Sequence, residues 1–269
     1  MPLINVNKVN INYEETGAGE AIVFLHGFTG SHHDWDSQVG LISDKYRTIA
    51  VDHRGHGKSD APVGEEFYSI KTFADDVYAM LQKLGISKCC LVGHSMGGFM
   101  SLQLVLDHPE LVKGLVLVDT SSGDWDTAPG YAEFRAKLVE LAQTEGLEAA
   151  FKYNAANNPP VVDKFKKHPE LQEVARQKML NTSVEGYVHI GNCFQKWPSV
   201  TARLGEIKAP TIVFLGAEDE GFIKASDVLR DGIAGAQLVV IPDAGHNPHE
   251  ETTELFNKDF LAFLPKIKW

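Results

Sequence analysis

Leu91-Val92-Gly93-His94-Ser95-Met96-Gly97-Gly98 is the stretch whose reading decides the fold of this chain. An apolar run, Cys89-Cys90-Leu91-Val92, stops at a Gly-x-Ser-x-Gly pentapeptide, and an apolar-patterned segment of helical length, residues 99–106, follows it. Strand, sharp turn and helix in that order make a nucleophile elbow, in which a strained turn holds the serine hydroxyl outward at a strand tip. Gly93 and Gly97 belong there because a Cβ at so tight a bend would collide with neighbouring backbone. Gly-Ser-Gly runs also occur in plain loops; the flanking strand and helix set this one apart.

On the N-terminal side, residues 3–15 read as two short alternating strands with Ile4, Val6, Val9, Ile11 and Tyr13 inward. Ala21–Leu25 is a continuous apolar run, the mark of a strand buried on both faces, and residues 46–51 read as another buried strand. Residues 35–42 suggest a short helix. A second helix starts at Ser69 as its cap, with Ile70, Phe73, Ala74, Val77, Leu81 and Leu84 on one face, and ends at Gly85. On the C-terminal side, a buried strand is expected at residues 115–118 and further strands at 210–215 and Gln237–Ile241, with helices at 222–233 and 252–264. Strands alternating with amphipathic helices predict an α/β fold: a doubly wound, mostly parallel eight-stranded sheet flanked by helices.

The rhythm breaks over residues 121–204, which carry helical patterns (Tyr131, Phe134, Leu138, Leu141; Leu171, Val174, Met179; Val184, Tyr187, Phe194) interrupted at Pro159-Pro160. The strand pattern resumes directly afterwards, so this segment is expected as a helical insertion in one core made of residues 1–120 and 205–269.

The 269 residues suffice for one large α/β domain with a full core. The net charge is −11 and the 25 basic residues are scattered, which speaks against nucleic-acid or anionic-membrane partners. Three cysteines, Cys89, Cys90 and Cys193, make no disulfide framework and fit a reducing cytoplasm. The N-terminus shows no signal-like segment, and no apolar run approaches the ~20 residues of a membrane span.

A serine hydroxyl needs a base within hydrogen-bond reach, itself oriented by a third group. His246, in Asp243-Ala244-Gly245-His246-Asn247 directly after the last strand, is the candidate base. Asp219, in Gly216-Ala217-Glu218-Asp219-Glu220 after the preceding strand, is the candidate acid; Asp119, at the end of the strand before that, is its rival. The oxyanion would take backbone N–H donors from Met96, after the serine, and from Phe28 in His26-Gly27-Phe28. His246, His249 and Glu250 lack companion ligands at a familiar spacing, so neither a metal nor another cofactor is expected.

The chain resembles the α/β-hydrolase family over essentially its whole length. The resemblance rests on His26-Gly27-Phe28, Asp52-His53-Arg54-Gly55-His56-Gly57-Lys58-Ser59, Gly93-His94-Ser95-Met96-Gly97-Gly98, Gly216-Ala217-Glu218-Asp219 and Gly245-His246, in that family's order of serine, acid and histidine. It implies that the 121–204 insertion is a cap over the active site, its aromatics Phe151, Tyr153, Tyr187, Phe194 and Trp197 available to line a pocket with Phe99. It also explains the rival acid, since some related enzymes place it where Asp119 stands.

The leading expectation is a small carboxylic ester or lactone as substrate, cleaved through an acyl-enzyme on Ser95. His26-Gly27-Phe28-Thr29-Gly30-Ser31 also resembles a pyruvate-eliminating lyase of the menaquinone pathway, but Phe99 stands where those enzymes carry a carboxylate-binding arginine. The remaining cap arginines, Arg135, Arg176 and Arg203, are expected on solvated helix faces. Carbon–carbon bond hydrolysis, cofactor-free perhydrolysis and ligand sensing with a retained triad are the further alternatives.

Overall fold

The computed structural model describes residues 2–123 and 130–269. In chain order the elements are β1 (Leu3–Val6), β2 (Val9–Thr16), β3 (Ala21–Leu25), α1 (Asp36–Ile42), β4 (Arg47–Val51), α2 (Ile70–Lys83), β5 (Cys89–His94), α3 (Met96–Asp107) and β6 (Val112–Val118). Five helices follow: α4 (Tyr131–Thr144), α5 (Leu147–Asn157), α6 (Pro159–Lys167), α7 (Glu170–Leu180) and α8 (Val184–Cys193). Then come β7 (Thr211–Gly216), α9 (Ile223–Gly232), β8 (Gln237–Ile241), α10 (Pro248–Glu251) and α11 (Thr253–Phe263).

The eight strands form one sheet in the order β1-β2-β4-β3-β5-β6-β7-β8. β1 and β2 pair antiparallel, as do β2 and β4; every pairing from β4 to β8 is parallel. The reason the central strands read as unbroken apolar runs is now visible. In β3, Val23 and Leu25 enter the core shared with α2 and α3, while Ile22 and Phe24 enter the core shared with Trp35, Phe256 and Phe260. Both faces are covered, so both parities of the strand must be apolar.

Local signals set the ends. The Ser69 hydroxyl accepts the Thr72 N–H at 3.0 Å and caps α2, and Gly85, at φ 69°, lets the chain leave it. Pro159 and Pro160 occupy the first turn of α6, so the pair starts a helix as well as ending the previous one. β6 begins three residues earlier than the apolar run suggests. Its first turn toward the core passes through Gly114, where a Cβ would stand 2.7 Å from Ile267. Among the described residues, no helix is long and apolar enough to cross a membrane.

Asp52, immediately after β4, ties the parallel edge together. It is buried and accepts from Asn12 Nδ2 (2.8 Å), His32 N (2.9 Å), His32 Nδ1 (2.8 Å) and Lys58 N (3.1 Å). Burial alone would raise its carboxyl, but the hydrogen bond from His32 and the neighbouring histidines outweigh it and hold the group below the usual carboxylate range. Stability from such a depressed group is present above the unfolded pKa, about 3.9, and lost as pH falls through the folded value. Asp52→Asn is therefore expected to cost about 3 kcal/mol at pH 7. In urea unfolding the deficit should shrink as pH drops below about 4; a pH-independent deficit would assign it to packing instead.

Candidate active site

β5 ends in the elbow. Ser95 has φ 50° and ψ −113°, a strained geometry for a residue with a side chain. The surroundings hold it there: Ser95 N–H donates to Val118 O (2.9 Å), and Ser95 O accepts from Gly98 N (2.9 Å) and Thr120 Oγ1 (2.8 Å). A Cβ on Gly93 would lie 2.3 Å from Gly97 O, and one on Gly97 would lie 2.1 Å from Leu25 O. Strand, turn and helix thus meet backbone to backbone, and only glycine fits.

The loop after β3 lies against this serine: a Cβ on Gly27 would come 3.3 Å from Ser95 Cβ. Gly27-Phe28-Thr29-Gly30 is a turn closed by Gly30 N–H on Gly27 O at 3.1 Å, which leaves the Phe28 N–H outside the turn's own bond. Met96 is the first residue of α3, so its N–H has no intrahelical acceptor.

Histidines that sequence reasoning passed over brace the loop. His56 Nε2 accepts Thr29 N–H at 3.1 Å, and His26 holds Gly27 O through Nδ1 (2.7 Å) while its Nε2 accepts His53 N–H (3.2 Å). Burial drives His56 down to about 3 and lowers His26, so both rings stay neutral and offer the bare nitrogen that these bonds need.

His246 Nδ1 lies 2.6 Å from Asp219 Oδ2. A proton on Nδ1 leaves Nε2 as the basic nitrogen of a neutral ring. The histidine's own backbone is fixed from two sides. His94 Nε2–H, beside the serine, donates to His246 O at 2.7 Å, and Glu251 accepts Gly245 N–H (2.6 Å) and Asn247 N–H (3.3 Å). Phe222 packs on the imidazole at 4.9 Å between centroids. Asp119 stands behind Asp219, its Oδ1 accepting Gly216 N–H at 2.9 Å. The structure therefore joins His246 to Asp219 directly and leaves Asp119 one step removed.

Two lysines dock the helical insertion around this loop. Lys178 of α7 is ion-paired with Asp34 (2.9 Å) and with Glu250; Lys164 of α6 is ion-paired with Glu251 (3.1 Å) and donates to Asn247 Oδ1 (2.7 Å). Asp34, His249 and Glu250 bring ligand atoms within 4.8 Å of one another, but the Lys178 ammonium holds the cation's place among them. Burial opposes that charge, and the two carboxylates outweigh it and keep the lysine protonated. Val174 of α7, expected inside with Leu171 and Met179, is exposed.

Phe99, Phe194 and Trp197 do come together. Trp197 stacks on Phe99 at 5.3 Å, Phe194 meets Phe99 edge-on at 5.9 Å, and Phe194 also meets Phe28 edge-on at 5.5 Å. The aromatic cluster thus reaches the loop carrying the candidate oxyanion donor. Phe151 and Tyr187 are buried within the insertion's own cluster, where Tyr153 is partly buried.

The expectation for Arg135 is wrong. Arg176 and Arg203 lie on the surface beside Glu173 and Glu206, but Arg135 is 8% exposed and packs over the rings of Tyr187 (4.6 Å) and Phe28 (5.4 Å). Its Nη2 donates to Tyr187 O, whereas Nε and Nη1 are buried without a partner among the described residues. Ring contacts and the carbonyls of Tyr187 and Val188 replace the solvated face that its helix pattern suggests.

Comparison with known proteins agrees with this fold. The chain is 30% identical over 258 residues to a putative 2-succinyl-6-hydroxy-2,4-cyclohexadiene-1-carboxylate synthase of Bacillus subtilis, covering 94% of this chain and 93% of the relative. Among solved structures it is similar to an enol-lactonase from Burkholderia xenovorans (27% identity, TM-score 0.85, 98% of this chain and 100% of that one). A thermophilic esterase from Thermogutta terrifontis is similar too (28% identity, TM-score 0.86, 98% of both chains). The α/β hydrolase fold model matches residues 20–253. With that match spanning β3 to β8, the elbow and the histidine loop, the chain belongs to the α/β hydrolase fold family.

Proposed function

We propose that this protein is a serine hydrolase that cleaves a small carboxylic ester or lactone through an acyl-enzyme on Ser95. The observation that carries the reading is the 2.6 Å contact between His246 Nδ1 and Asp219 Oδ2 in front of a strained elbow. Ser95 Oγ attacks the carbonyl as His246 Nε2 takes its proton, and Asp219 stabilises the imidazolium that results. The N–H groups of Phe28 and Met96 receive the oxyanion, each worth about 3 kcal/mol in the transition state. His246 then returns the proton to the leaving alcohol and activates the water that frees the acid. A panel of p-nitrophenyl esters and lactones of graded length tests the assignment: saturable hydrolysis of at least one class supports it, and none with intact Ser95 labelling overturns it.

In this reading the insertion, residues 121–204, is a cap that sets substrate choice. Phe194→Ala and Trp197→Ala are expected to shift the preferred acyl length while leaving fluorophosphonate labelling of Ser95 intact, as measured on the ester panel. Loss of labelling in a folded variant would put part of the catalytic apparatus in the cap.

A second reading, elimination or hydrolysis on a carboxylate-bearing substrate, is favoured by Arg135. A buried guanidinium whose Nε and Nη1 have no partner among the described residues, beside Phe28, suits an anionic group, and the Bacillus subtilis relative is named for a carboxylate product. Phe99 still presents an apolar wall, so a polycarboxylate lacks a second cation there. Neutral esters are expected as substrates, with weak or absent pyruvate elimination. Arg135→Met should lower kcat/KM for an ester carrying one carboxylate by about 10–100-fold more than for its neutral analogue. Equal losses on both esters would make Arg135 a packing residue.

A further inference from the structure

Asp119 is fully buried at the tip of β6, with φ 41°. Its Oδ1 accepts the Gly216 N–H at 2.9 Å; no donor reaches Oδ2 among the described residues, although that oxygen is shielded from solvent. An acceptor left bare in the interior is costly as an anion. The cost is compounded by the neighbour: oxygens of Asp119 and Asp219 and a nitrogen of His246 lie within 4.8 Å of one another. Two carboxylates at such a separation, one of them fully buried, do not both ionise readily. Asp219, bonded to His246, is the less deeply buried of the two.

The other surroundings do not relieve Asp119. Glu251 on α10 adds negative charge, and the cap's Lys164 is engaged by Glu251 and Asn247. On the β5 side, His94 is held neutral by burial and donates its one proton to His246 O. Burial first, and then the Asp219 charge, push the Asp119 carboxyl well above its ordinary range, against the weaker pull of the Gly216 N–H.

We propose that Asp119 is a positioning residue: a neutral carboxylic acid that donates its proton from Oδ2 to the Asp219 carboxylate and so fixes Asp219 against His246. This rests on the triad assigned above. The proton stays on Asp119 throughout, and the proton that moves is the Ser95 hydroxyl's, taken by His246 Nε2. Donation to Asp219 draws charge from that carboxylate, which restrains the basicity of His246; Asp119 acts on the reaction only through its neighbour.

The test combines infrared difference spectra of the resting enzyme with the pH dependence of fluorophosphonate labelling at Ser95, for wild type, Asp119→Asn and Asp119→Ala. A carboxamide is neutral, accepts the Gly216 N–H and donates to Asp219, so Asp119→Asn should label at close to the wild-type rate with an unmoved acidic limb. Asp119→Ala lacks the donor; its labelling should slow by about tenfold or more, with the acidic limb moved upward. A protonated-carboxyl band at neutral pH should disappear in Asp119→Asn. A limb that moves down in Asp119→Asn, as expected on deleting a negative charge, would overturn the proposal, and so would the absence of that band. If Ser95 is not labelled even in wild type, the triad reading fails, and the infrared band still decides the state of Asp119.

Discussion

Ser95→Ala is expected to lose hydrolysis by about 10⁴-fold or more and to lose all fluorophosphonate labelling. The size follows from what is removed. Without Oγ no acyl-enzyme forms, and the remaining acceleration comes from binding and from the N–H groups of Phe28 and Met96. The substitution should leave the fold intact, because Ser95 contributes its backbone, not its side chain, to the bonds with Val118, Gly98 and Thr120. Alanine still has to adopt φ 50°, so the elbow's strain stays much as it is. Substantial turnover by the folded variant would end the assignment of Ser95 as nucleophile.

Asp219→Asn is expected to lower the rate by about 10²–10⁴-fold. A carboxamide at 2.6 Å from His246 Nδ1 can present its NH₂ to the ring, which selects the wrong tautomer and removes the charge that stabilises the imidazolium. Asp119→Asn should cost far less, since Asp119 bonds Gly216 and not His246. The comparison is made by kcat/KM on one ester at a common pH with both variants shown folded by circular dichroism. The reverse ranking would move the acid to Asp119.

The sheet was legible because its physics is local. A strand covered on both faces has to be apolar at every position, and Ala21–Leu25 carries its own ends in turn residues. The elbow was legible for the same reason, as its glycines answer contacts within a few residues and one neighbouring strand. Arg135 was misread through a shift of helical register. The stripe Tyr131, Phe134, Leu138 and Leu141 looked like the inner face of α4, but the buried positions are Arg135, Leu138, Leu141 and Ala142, and Tyr131 is exposed. Aromatic residues drew the stripe one position away from the cation that is inside. The roles of His26, His56, His94 and Glu251 were not legible at all. Glu251 closes its own loop on Gly245 and Asn247, within six residues, whereas each of the histidines depends on a partner fixed by the topology, up to 152 residues away for His94 and His246, and spacing carries no trace of it.

Lys164 and Lys178 also bear on how this protein can be rebuilt. Both lie in the segment between β6 and β7, and their carboxylate partners are on the 3₁₀ turn before α1 and on α10, beside the histidine loop. Recombining the insertion with one from another hydrolase is therefore not a modular exchange. A graft without these two ammonium groups strands Asp34, Glu250 and Glu251 as buried acids, and the strain falls on the residues that carry His246. A chimera made for a new substrate would have to import the lysines or neutralise the acids together, or it would change the acyl preference and damage the base in the same step.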